Sequence, residues 1–135
     1  MRFSSNRRNF LRAACSAVIG LFGASALAAP QHESNMYGLI AKMIAVPGER
    51  DALVAILLEG VADMPGCLSY VVAADPADTN ALWITEVWDS KTSHDASLSL
   101  PSVRSAIARG KPLIVGFGDR VVTTPMGGHG LARGA

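Results

Sequence analysis

His94 and Glu86 carry most of the chemistry this chain can offer. His94 sits early in a segment that reads as helix and shares a face with Leu98, four residues on, so its imidazole points inward. It is either a helix-start histidine satisfied by a nearby carbonyl or carboxylate, or a general base at the mouth of a pocket between helix and sheet. Glu86 lies between Ile84 and Trp88 on a strand and shares their face by two-residue alternation. A carboxylate on an apolar face must be paired, hydrogen-bonded or protonated. It therefore meets Lys42 or an arginine, or it takes part in a reaction. Trp88 and Tyr70 each combine a large apolar body with one polar tip, which suits a pocket wall as well as a core. Trp83, five positions before Trp88, faces the other side of the sheet. Cys67 reads as a small buried hydrophobe. His32 and His129 lie far from His94 in sequence and in polar or Gly-rich ends, so no metal site is expected. No phosphate-cradling glycine loop and no nucleophile elbow is present.

The elements that must position these groups centre on a hairpin. Residues 67–74 and 82–88 are rich in β-branched and aromatic residues, and Asp75-Pro76-Ala77-Asp78-Thr79-Asn80 between them is turn chemistry. Upstream, residues 37–46 read as a strand, and Pro47-Gly48 turns the chain. Leu53, Val54, Leu57, Leu58, Val61 and Met64 then recur at helical spacing up to Pro65-Gly66. Downstream, Asp89-Ser90 caps a second helical region from Lys91. Pro101 restarts it, and Gly110 is expected to stop it as a C′ residue. Residues 113–123 form the last strand, with Gly116 and Gly118 marking a bulge or a close backbone approach. The order β-α-β-β-α-β predicts an α+β, ferredoxin-like fold: a four-stranded antiparallel sheet with both helices on one face. The hairpin strands are apolar on both sides, with Leu68, Tyr70 and Val72 against Cys67, Val71 and Ala73. The face without helices is therefore expected to be covered by a second copy, giving a homodimer.

Composition bounds the rest. The 135 residues suffice for one domain. Residues 1–28 read as a cleaved export signal: Arg2, Arg7, Arg8 and Arg12 with no acid, an apolar run from Ala13 to Leu27, and Ala26-Leu27-Ala28 as the cleavage site. Asn6-Arg7-Arg8-Asn9-Phe10-Leu11-Arg12 resembles the twin-arginine signal, which predicts a folded bacterial protein delivered to the periplasm. The apolar run is short for a membrane span, so no membrane association is expected after cleavage. Removing the signal leaves 8 basic against 11 acidic residues, a formal charge of −3. That argues against nucleic acid as a partner. Cys67 is the one cysteine beyond the signal, so internal disulfides are excluded. Residues 36–124 form the domain, and residues 125–135 are expected to be a flexible Gly-rich tail.

Pro65-Gly66-Cys67-Leu68-x-Tyr70, then Asp75-Pro76, then Glu86-Val87-Trp88-x-Ser90 and His94 resemble the antibiotic biosynthesis monooxygenase family, in the subgroup of quinol monooxygenases. The resemblance spans residues 36 to about 124. It implies a dimeric α+β barrel that oxidises a small electron-rich aromatic (a quinol, phenol or anthrone) with O2 and without metal, flavin or other cofactor. His94 would act as the base, with Trp88, Tyr70 and Glu86 around the substrate. A phenol with a pKa near ~10 yields its proton to an ordinary histidine, near ~6.5, at a cost of about 5 kcal/mol. A donor to the phenolate oxygen is therefore needed, and Tyr70 or the Trp88 indole is expected to supply it. In relatives of this fold that degrade haem, an Asn, a Trp and a His recur; Trp88 matches the Trp, but Lys42 and Ile107 stand at the Asn and His positions, so no axial ligand is in place and haem degradation is not expected. A non-catalytic dimeric ligand binder and an isomerase of a small carbonyl compound are the other functions the same fold can host.

Overall fold

The computed structural model describes residues 35–131. The expected export signal, its cleavage site and His32 lie outside the described residues, as does the end of the tail. The elements run β1 (Tyr37–Ala45), α1 (Arg50–Gly60), β2 (Cys67–Ala74), β3 (Ala81–Trp88), α2 (Lys91–Ser97), α3 (Pro101–Gly110), a 3-10 turn (Lys111–Leu113) and β4 (Ile114–Thr123). The sheet is antiparallel in the order β2-β3-β1-β4. This is the ferredoxin-like α+β architecture, and its helices lie over one face.

Side-chain alternation puts Leu39, Leu82, Ile84, Glu86 and Trp88 on the helix-covered face and Lys42, Trp83, Thr85 and Val87 on the other. The main core joins Ala45, Leu53, Leu82 and Ile84, with Val54, Leu57, Tyr70 and Val72 packed against it. A second cluster joins Tyr37, Leu39 and Trp88, with Met64 and Cys67 against it. At about 25 cal/mol per Å² of apolar surface removed from water, each fully buried Leu, Ile or Trp here stabilises the fold by a few kcal/mol.

The hairpin turn is built as its residues dictate. Asp75 Oδ1 accepts from the Ala77 N–H at 2.8 Å, and Asp78 Oδ1 accepts from the Asn80 N–H at 2.9 Å. The Ser90 hydroxyl oxygen accepts from the Ser93 N–H at 3.1 Å and caps α2, and Pro101 opens α3.

Four local expectations need correction. The first helix ends at Gly60, not at Pro65-Gly66. Pro65 has no N–H to continue the ladder and steers Met64 away from helical backbone, so residues 61–63 form turns instead. Leu58 is half exposed and does not belong to the buried stripe. Gly110 does not stop α3 with left-handed backbone; its φ of −76° and ψ of −32° lead straight into the 3-10 turn. Cys67 does not oppose Tyr70: the β2–β3 register shifts between Cys67 and Ser69, and this bulge returns both side chains to the helix-covered face.

The last strand is irregular as expected, with register shifts opposite Ala41–Met43 and Ile44–Ala45. A Cβ on Gly118 would lie 3.1 Å from the Lys42 side chain, so this glycine permits a close approach. From 124 to 131 the chain forms no helix or strand, and His129 is exposed there. On the uncovered face Val71, opposite Thr85, and Val121, opposite Ile40, are half exposed. No helix of the described residues is long and apolar enough to cross a membrane.

Candidate functional site

Between the helices and the sheet lies a cavity of about 200 Å³. Its walls are mostly apolar, from Met43 and Ile84 on the sheet to Leu57, Val61, Val103 and Ile107 on the helical side. The polar groups gather at one corner. Strand β3 delivers Glu86 and Trp88 two residues apart on one face, and β2 delivers Tyr70, which pairs with Glu86 in register. Helix α2 drops His94 in from above. All four residues singled out by sequence, His94, Trp88, Tyr70 and Glu86, line this one cavity.

The Trp88 indole N–H donates to Glu86 Oε2 at 2.8 Å. His94 Nε2 stands 3.8 Å from the same oxygen, and both side chains are nearly buried at 11% and 12% exposure. On its other side, His94 Nδ1 lies 3.1 Å from Asp95 Oδ1. Asp95 Oδ2 in turn takes the Lys91 ammonium at 2.6 Å, one helical turn back. The imidazole is further held by rings: Tyr37 at 4.9 Å and Trp88, edge on, at 5.5 Å between centroids.

These contacts correct two expectations. Glu86 is not paired with Lys42, because Lys42 alternates to the opposite face; its partner there is Asp75 at 2.7 Å. Nor is the Trp88 indole available to a substrate oxygen, since its N–H already donates to Glu86. The Tyr70 hydroxyl has no protein partner among the described residues and remains as a donor. Burial, the Glu86 charge and the neighbouring Cys67 all push the Tyr70 phenol above its ordinary range, so it stays protonated at neutral pH. Burial likewise pushes the Cys67 thiol up, so it stays protonated at neutral pH.

Sequence reading missed Tyr37 and Asp95. Asp95 carried a signal: it follows the histidine directly and stands four residues after Lys91. Tyr37 reaches His94 only through tertiary packing. Among the described residues, no group of three or more His, Cys, Asp or Glu side chains could hold a metal ion.

An apolar cavity with one polar corner, roofed by helices on an antiparallel sheet, defines a small-molecule-binding α+β protein. The sequence profile of the antibiotic biosynthesis monooxygenase family matches residues 36–109, and the chain belongs to that family. It is 66% identical to a crystal structure of a candidate antibiotic biosynthesis monooxygenase from Chloroflexus aurantiacus. The match covers 72% of this chain and 99% of that one, with a TM-score of 0.70. A Pseudomonas aeruginosa protein shares the fold at 22% identity and a TM-score of 0.61, over 71% of this chain and 99% of that one. A candidate member from Nitrosomonas europaea does so at 11% identity and 0.62, over 69% and 92%. No match is found among curated proteins.

Proposed function

We propose that this protein is a monooxygenase that oxidises a small electron-rich aromatic, a quinol, phenol or anthrone, with O2 and without metal, flavin or other cofactor. The observation that carries the reading is the single polar corner, His94 beside Glu86 with a free Tyr70 hydroxyl, set in an otherwise apolar cavity of a family member. His94 takes the phenolic proton, and the Glu86 carboxylate offsets the positive charge that forms on the ring. Tyr70 donates to the phenolate oxygen. The anion passes one electron to O2, and the resulting aryloxyl radical and superoxide join to form a hydroperoxide once a proton returns. Loss of water then leaves a quinone. One O2 is consumed per substrate, with one oxygen atom in the quinone and the other in water.

The volume narrows the substrate. A cavity of about 150 Å³ accommodates benzene, so about 200 Å³ suits a single substituted ring better than a three-ring anthrone. The test is O2 uptake with a simple quinol in the presence of a chelator. The expected result is one O2 per quinol, with His94→Ala slowing turnover roughly 100-fold or more. Turnover without O2 would point to an isomerase, and a ligand-raised melting temperature with no turnover would point to a binding protein.

The working form in this proposal is a periplasmic homodimer, paired through the uncovered sheet face. The apolar, half-exposed Val71 and Val121 support the pairing, and the twin-arginine-like stretch around Arg7-Arg8 supports export. Cell fractionation of the expressed protein tests the second point.

A further inference from the structure

We propose that Asp95 is a positioning residue that fixes the His94 proton on Nδ1, and that the two acceptors left facing each other, His94 Nε2 and Glu86 Oε2, make the cavity select ligands bearing an acidic O–H. The inference deepens the proposed function and rests on this cavity being the substrate site.

An ionised carboxylate only accepts, so the 3.1 Å contact between Asp95 Oδ1 and His94 Nδ1 requires the proton on that nitrogen. The Lys91 ammonium on Oδ2 keeps Asp95 ionised and in place. Tyr37 and Trp88 pack against the ring. A neutral ring so held presents a lone pair at Nε2. The group facing it, 3.8 Å away, is another acceptor, already bonded by the Trp88 indole N–H. That spacing is too long for a direct hydrogen bond, and no proton lies between the two atoms in this tautomer. Ser97 also lines the cavity, but its hydroxyl proton goes to the His94 carbonyl at 2.7 Å. No donor therefore sits between these two atoms. An incoming hydroxyl supplies it, while its oxygen can accept from Tyr70.

Histidine-labelled protein followed by nitrogen-15 NMR, at a pH where the ring is neutral, reads the tautomer directly. The expected result is the Nδ1–H form in the native chain. Asp95→Ala should return the ring to Nε2–H, the form free histidine prefers. Asp95→Asn, whose amide can accept or donate, should give a mixture with little change in shape. Nε2–H in the native protein, or the same tautomer in all three proteins, overturns the proposal. Binding supplies the second readout. Phenol should bind at least about 10-fold more tightly than anisole, its O-methyl ether, because the ether brings no donor and leaves His94 Nε2 unpaired. The preference should narrow in Asp95→Ala, and equal binding of phenol and anisole by the native protein overturns the selectivity. Neither readout needs turnover. A protein that passes both yet consumes no O2 retains this inference and loses the monooxygenase reading.

Discussion

Tyr70 shows how much a single hydroxyl is asked to do. Its burial keeps it protonated, and the proton has no protein acceptor among the described residues. Tyr70→Phe should therefore leave the fold intact and lower kcat for a phenolic substrate by about 10-fold, the scale of one lost hydrogen bond to a charged oxygen. Steady-state kinetics with a matched melting curve checks both halves. Trp88→Phe should act differently, because it strips Glu86 of its indole donor inside an apolar wall. The expected cost is about 1–3 kcal/mol of stability, read from denaturant unfolding. At this scale the sequence was informative where alternation held: Glu86 and Trp88 were placed together because strands repeat every two residues, whereas Tyr70 joined them only through the family resemblance. It misled at Cys67, where one extra residue in a bulge reversed the face. It was silent on Tyr37, whose contact with His94 joins the start of β1 to α2.

At the scale of elements, the roof over the cavity depends on how closely α1 and α3 approach. A Cβ on Gly60 would meet the Ala106 Cβ at 2.6 Å, so only glycine lets the helices close to this distance. Gly60→Ala should push them apart, costing about 1–3 kcal/mol, and should also weaken ligand binding as the cavity loosens. Gly48, by contrast, has φ of +86° and no neighbour within 4 Å of an added Cβ. Gly48→Ala should cost about 1–2 kcal/mol from the strained backbone and leave ligand affinity alone. Unfolding and binding measured on both variants separate the two effects. The helices themselves were readable from periodicity, the Ser90 cap and Pro101. Their exact ends were not, since Pro65 acts backwards along the chain and Gly110 keeps ordinary helical backbone.

The whole molecule is tied together on its other face by Asp75. That carboxylate bonds Lys42 of β1, its own turn at Ala77 and the Trp83 indole of β3. The Lys42 contact, with the Ala77 N–H next, holds its pKa down to about 2, below the ordinary 3.8. Because the folded value is the lower one, the stabilisation is present above about pH 4 and is lost as pH falls from there towards 2. Melting temperature against pH should drop steeply through that window in the native protein and more gently in Asp75→Asn. The same face bears the exposed valines, and pairing of two copies should make the apparent melting temperature rise with protein concentration. Sedimentation that finds single chains at micromolar concentration would overturn the pairing. The fold order was legible from the sequence because each element carried its own signal. The Lys42–Asp75 pair was not, because it joins residues 33 apart through a tertiary contact.

The two tryptophans lie on opposite sides of one sheet, and this gives the protein a pair of built-in optical gauges. Trp88, edge on to His94, should change its emission when the imidazole gains a proton or a ligand enters. Trp83, with the Lys42 ammonium 5.4 Å above its ring, should respond instead to whatever comes to rest on the outer surface. Variants that keep one indole at a time, Trp83→Phe and Trp88→Phe, would let fluorescence follow occupancy of the interior and association of subunits as separate signals, without any dye attached.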